Sequence, residues 1–121
     1  MQQARVLTTG SVAYNWDMDA LAQLIKQQKV LYVPTFEYDG MTFNFRVPYR
    51  LDYKHDGEYY LHENEQLDIY VREEEFSKFV ASLYEQFYVL WTEYAEEQDD
   101  KLHADAREFK KLLLSMCEVT K

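Results

Sequence analysis

The sequence predicts an α+β fold: a four-stranded, mainly antiparallel meander sheet, covered on one face by two C-terminal helices, with a short N-terminal helix at its edge. Three observations predict it. Apolar and polar residues alternate with period 2 from Phe43 to Tyr53, the signature of a strand with one covered and one wet face. Asp39-Gly40 sits between two strand-like runs and favours a type I′ hairpin, which needs φ > 0 at both central residues. From Phe76 to Tyr94 apolar residues recur at i, i+3, i+4, i+7, the stripe of a core-facing helix.

The elements follow in order. Residues Met1 to Trp16 carry little pattern and read as a short strand or a loosely ordered arm. Asp17 is placed as an N-cap for a helix to about Gln28, with Met18, Leu21, Leu24 and Ile25 at helical spacing. Val30 to Tyr38 is rich in β-branched and aromatic residues, and Pro34 marks it as an edge strand or a bulge. In the second strand Phe43, Phe45, Val47, Tyr49, Leu51 and Tyr53 form the apolar face, and Pro48 predicts a bend or a change of partner. His55-Asp56-Gly57 is a turn, Glu58 to His62 a third strand, and Leu67 to Arg72 a fourth. Glu73 to Glu75 then open the long helix favourably for its dipole. After a charged loop from Glu96 to Lys101, a last helix is expected over about Ala104 to Val119. Cys117 packs on it as a small hydrophobe. The predicted core is Phe45, Val47, Leu51, Leu67, Ile69, Val71, Phe79, Leu83, Phe87, Leu90, Phe109 and Leu113.

Composition bounds the function. A chain of 121 residues is one domain, and 47% apolar with 17% aromatic residues argues for a packed core. The net charge of −9 disfavours direct contact with nucleic-acid backbones or anionic lipid and favours a basic protein partner. A single cysteine leaves no internal disulfide and no cysteine-rich metal site. The start, MQQARVLTTG, lacks an apolar signal-peptide core, and no apolar run approaches membrane-spanning length, so a cytoplasmic protein is expected.

No catalytic, cofactor or metal site is predicted. Gly10, Gly40 and Gly57 are too scattered for a phosphate-binding loop. His62 with Glu63 and Glu65 is the one metal-like grouping, and alternation around a hairpin points those side chains apart. Ser77, Ser82 and Ser115 lie inside helices with no local base. The carboxylate runs sit at element ends, where caps and solubility explain them. Arg46 and Arg50 flank Pro48 on the wet face and read as ion pairs or a protein contact.

The text FRVPYRLDYKHDGEYYLHENEQLDIYVREEEFSKFVASLYEQFYVLW, within Phe45 to Tyr94, resembles the HicB-like antitoxin domain in element order, in the HDG turn before EYYL and in the acidic helix start after LDIYV. The downstream EYAEEQDDKLHADAREFKKLLLSM is similar to a helical extension of uncharacterised relatives. The sequence departs from the family pattern where Glu63 to Gln66 replaces a Pro-Gly loop, and it shows no ribbon-helix-helix or helix-turn-helix element. The resemblance implies a non-enzymatic, antitoxin-like interaction module that neutralises a small basic ribonuclease toxin and carries no catalytic residues. Strand addition at a sheet edge, or homodimerisation through it, would be the mechanism. The partner-binding surface is expected at Arg46, Arg50, Tyr70, Tyr84 and Tyr88. Two alternatives stand beside it. One is a ligand binder or enzyme with a pocket between sheet and helices lined by Tyr49, Tyr53, Tyr59 and Trp91. The other is an acidic mimic of nucleic acid that inhibits a DNA-binding protein.

Overall fold

A computed structural model describes residues 28–121. The expected arm and nearly all of the first expected helix lie outside the described residues, and Gln28 itself opens a strand. In chain order the elements are β1 (Gln28–Tyr38), β2 (Met41–His55), β3 (Tyr60–Asn64), β4 (Ile69–Glu73), α1 (Phe76–Leu90), α2 (Ala104–Met116) and β5 (Cys117–Thr120). The fold is α+β: β1 to β4 form an antiparallel meander, β5 joins it, and two C-terminal helices accompany the sheet.

The β1–β2 hairpin closes on Asp39 and Gly40, with φ of 51° and 77°, and Tyr38 opposite Met41. This is the two-residue, positive-φ turn that the Asp-Gly pair predicts. Register holds along both strands except between Val33 and Thr35, whose partners are Tyr49 and Asn44. One residue of β1, Pro34, therefore spans four of β2, Phe45 to Pro48. Two prolines face this irregularity, and neither can donate a ladder bond. The bulge turns Val47 outward to 78% exposure, so it leaves the expected core.

Other boundaries shift for local reasons. The Asp56 carboxylate accepts the backbone N–H groups of Glu58 and Tyr59, which holds both in the turn and delays β3 to Tyr60. Asn64 Oδ1 accepts the Leu67 N–H and Asp68 takes φ of 56°, so β4 begins only at Ile69. Glu73 pairs with Tyr60 in the sheet, and the helix starts three residues later. The last helix stops at Met116 rather than Val119. Cys117 to Thr120 are extended and pair with Phe45 to Thr42 of β2. An unpaired stretch of β2 supplies ladder bonds that a further helical turn would forgo.

The core is aromatic. Phe36 stacks on Phe43 at 4.6 Å and on Tyr84 of α1 at 4.3 Å, and Phe43 meets Phe87 and Trp91 edge-on at 5.8 Å. Of the expected core, Leu51, Leu67, Ile69, Val71, Phe79, Leu83, Phe87 and Leu113 are buried, while Phe45, Leu90 and Phe109 are half-buried. Phe36, Phe43, Tyr49, Trp91 and Cys117 join them in the core. A single π-helical turn over Trp91–Ala95 follows α1 and buries both of its end residues. No helix among the described residues is long and apolar enough to cross a membrane.

Candidate functional site

The site begins with a division in the sheet. One side of β2 is shared by two strands: β5 pairs with Thr42 to Phe45, and β3 pairs only with Lys54 and His55. Between these stretches β2 and β3 diverge, and side chains bridge the opening. His62 is 4% exposed. Its Nδ1 lies 2.6 Å from the Asp52 carbonyl oxygen and its Nε2 2.8 Å from the Tyr49 hydroxyl. The carbonyl can only accept, so Nδ1 carries the proton and donates, and Nε2 accepts from Tyr49. Asn64 Nδ2 donates to the same hydroxyl at 3.1 Å. Every polar atom of this buried chain is thus engaged, which a low-dielectric setting demands. Burial raises the pKa of the Tyr49 hydroxyl.

Over this bridge lies an open groove of about 540 Å³. One wall is Lys29, Val30, Arg50, Asp52 and Lys54, and the other is Leu61, Glu63 and Tyr70. By alternation Val30, Tyr32, Arg50 and Asp52 share the outer face, since Val30 pairs with Asp52 and Tyr32 with Arg50. Tyr32 is 63% exposed, Tyr70 55% and Val30 41%. Arg50 Nε donates to Asp52 Oδ1 at 2.6 Å in an exposed pair. A smaller hollow beside Val47 and Pro48 is shared by Arg46, Tyr49, Arg50 and Asn64 and by Ser115 and Met116 at the end of α2. The outer face therefore carries aromatic and aliphatic groups around the exposed Arg50–Asp52 pair.

The five residues expected to bind a partner separate. Arg50 and Tyr70 both line the groove. Arg46 is drawn to the C-terminal end of α2, where its guanidinium meets Glu118 and the carbonyl oxygens of Leu114 and Cys117. It offsets the negative end of that helix dipole. Tyr84 stacks on Phe36 inside the layer interface, and burial raises its pKa. The Tyr88 hydroxyl donates to Asp39 at 2.8 Å, tying α1 to the β1–β2 turn. Arg46, Tyr84 and Tyr88 thus make intramolecular contacts away from the groove. Of the four residues expected to line a pocket, Tyr53 lines the groove and Tyr49 the smaller hollow, while Tyr59 and Trp91 lie apart. Tyr49 and Trp91 are buried, Tyr53 packs against Tyr60, Phe76 and Phe79, and Tyr59 lies beneath the Arg72 guanidinium.

Both ring nitrogens of His62 are engaged inside the sheet while Glu63 is exposed. Among the described residues no three His, Cys, Asp or Glu side chains are placed to hold a metal ion. The Cys117 thiol is buried, and desolvation pushes its pKa up to about 12, which suppresses the thiolate. The role of His62 was not legible in the sequence, because its partners lie ten and thirteen residues away across a strand division. Pro48 was the one local signal of that division.

No protein-family model matches the sequence, and no curated protein and no solved structure matches it.

Proposed function

We propose that this protein is a non-enzymatic interaction module that docks a small basic protein on the outer face of its sheet, in the manner of the HicB-like antitoxins that Phe45 to Tyr94 resembles. The observation that carries the reading is the exposure of Tyr32, Tyr70 and Val30 around the Arg50–Asp52 pair, on the sheet face opposite the helix-packed core, with Val47 exposed at the neighbouring bulge. Aromatic side chains that are rigid, large and partly polar are the usual anchors of a protein contact. The chain's net charge of −9 supplies long-range attraction for a basic partner. Glu58 and Glu74, both exposed, add local negative charge at the end of the sheet where β2 turns into β3 and β4 gives way to α1.

The test is capture from a lysate by the tagged protein, compared with Tyr70→Ser and Val47→Ser variants at low and high salt. A small basic protein held by the wild type, lost from both variants and released by salt, is the expected result. Capture that the variants leave unchanged, or none at all, rejects the reading. A small-molecule reading draws on the groove's volume of about 540 Å³, which lies within the ordinary range for ligand sites. A ligand that raises Tm in the wild type but not in an Arg50→Ala, Tyr70→Ala double variant would favour it.

A further inference from the structure

The two outer edges of the sheet are treated differently. At β4 the side-chain amide of Gln86 on α1 substitutes for a neighbouring strand: its Nε2 donates to the Tyr70 carbonyl at 2.7 Å, and its Oε1 accepts the Tyr70 N–H at 3.3 Å. That edge is capped. At the other side β1 pairs with β2 alone, and no described residue pairs with its outer edge. Three consecutive residues there are exposed, Val30 at 41%, Leu31 at 40% and Tyr32 at 63%.

We infer that β1 is a self-association edge, pairing antiparallel with β1 of a second copy about a two-fold axis at Leu31. The partner is read from the strand itself. A strand added here must offer apolar groups to both sheet faces, because Leu31 lies on the helix side and Val30 and Tyr32 on the outer side. β1 has that pattern. Centred on Leu31, the register sets Leu31 against Leu31 on the helix side. On the outer side it sets Val30 against Tyr32 twice, and aromatic–β-branched cross-strand pairs are favourable ones. Charge agrees as well. From Val30 to Phe36 β1 has no charged residue, in a chain that is 29% charged. Of the two flanking charges, Lys29 falls opposite Val33, so its two copies sit at opposite ends of the ladder, and Glu37 lies beyond Pro34, outside it. Pro34, which has no N–H, ends the ladder just beyond Val33. So short a ladder buries less than about 1,200 Å² in total, which places the dimer in the weak, reversible class.

The inference shares the sheet and the exposed Val30 and Tyr32 with the interaction-module reading, and salt separates the two. Like-charged copies at −9 each repel, so salt strengthens the dimer, whereas it releases a basic partner. Sedimentation velocity of the full chain from ~10 to ~300 µM should show a monomer–dimer equilibrium that shifts towards dimer with added salt. Tyr32→Lys, at an exposed position and checked for native circular dichroism, should weaken it at least ~10-fold. Register is read by oxidative cross-linking. Leu31→Cys should give a covalent dimer, since directly opposed residues fall within the roughly 4.4–6.8 Å Cα range of a disulfide. Val33→Cys should not, because the two copies of Val33 lie ~13 Å apart along the strands. The wild type, with Cys117 buried, is the control. A monomer at every concentration and salt overturns the inference, as does cross-linking through Val33→Cys that equals Leu31→Cys, or a Tyr32→Lys variant that dimerises like the wild type.

Discussion

The two faces of this sheet are built from the same residue types and do opposite things. On the inner face Phe36 and Phe43 stack on one another and meet Phe87 of α1 edge-on. On the outer face Tyr32, Tyr70 and Val30 are exposed, with no described helix over them. An aromatic side chain therefore says little about its role until its parity and its strand's neighbours are known. The inner set holds the domain together and the outer set is exposed.

Substitutions test that division. Phe43→Ala removes a fully buried ring that touches Phe36, Phe87 and Trp91, and should cost about 3–5 kcal/mol, measured by denaturant unfolding. Next in size is the bridge between the diverging strands. Tyr49→Phe leaves His62 Nε2 and Asn64 Nδ2 without their shared partner and should cost about 1–3 kcal/mol. If it costs nothing, the bridge is not what holds β2 and β3 together there. Gln86→Ala uncaps the β4 edge and should cost about 1 kcal/mol, with faster amide exchange at Tyr70 as the local readout. Smallest is Val47→Ser at the exposed bulge, expected within about 0.5 kcal/mol of the wild type while it weakens partner capture. A large loss of stability there would erase the distinction between the faces.

Titration sharpens the same contrast. Burial raises the Cys117 thiol from 9.0 to about 12, so the folded state retains a proton that the unfolded chain gives up first. This contribution to stability is whole below about pH 9 and is lost as pH rises from there towards about 12. Native protein should react with a thiol reagent only at its opening rate, and denatured protein at once. Exposed Asp56 runs the other way. The N–H groups of Tyr59 and Glu58 lower its pKa, so its contribution is present above the ordinary carboxylate value and fades as pH falls through the depressed one. Asp56→Ala should loosen the β2–β3 turn and leave the core unchanged, seen as local amide exchange at Glu58 and Tyr59.

Local chemistry was readable from the residues in order. Asp39-Gly40 specified its turn because positive φ is a property of those two residues, and the stripe from Phe76 to Phe87 specified a helix because its period is a property of the chain. The antiparallel meander followed from the short turns between strands. Three features were decided by contacts distant in sequence. Val47 obeyed the strand's period yet left the core, because Pro34 and Pro48 meet at one bulge only once β1 and β2 are paired. Cys117 to Thr120 continued a helical pattern yet became a strand, because β2 offered them unpaired backbone. His62 gained its role from Asp52 and Tyr49 across an opening that exists only when β5 and β3 divide one side of β2 between them. Periodicity and turn chemistry act over a few residues and are written in the chain. Which edge is filled and which polar atoms must find one another are settled only when strands far apart in sequence compete for the same backbone.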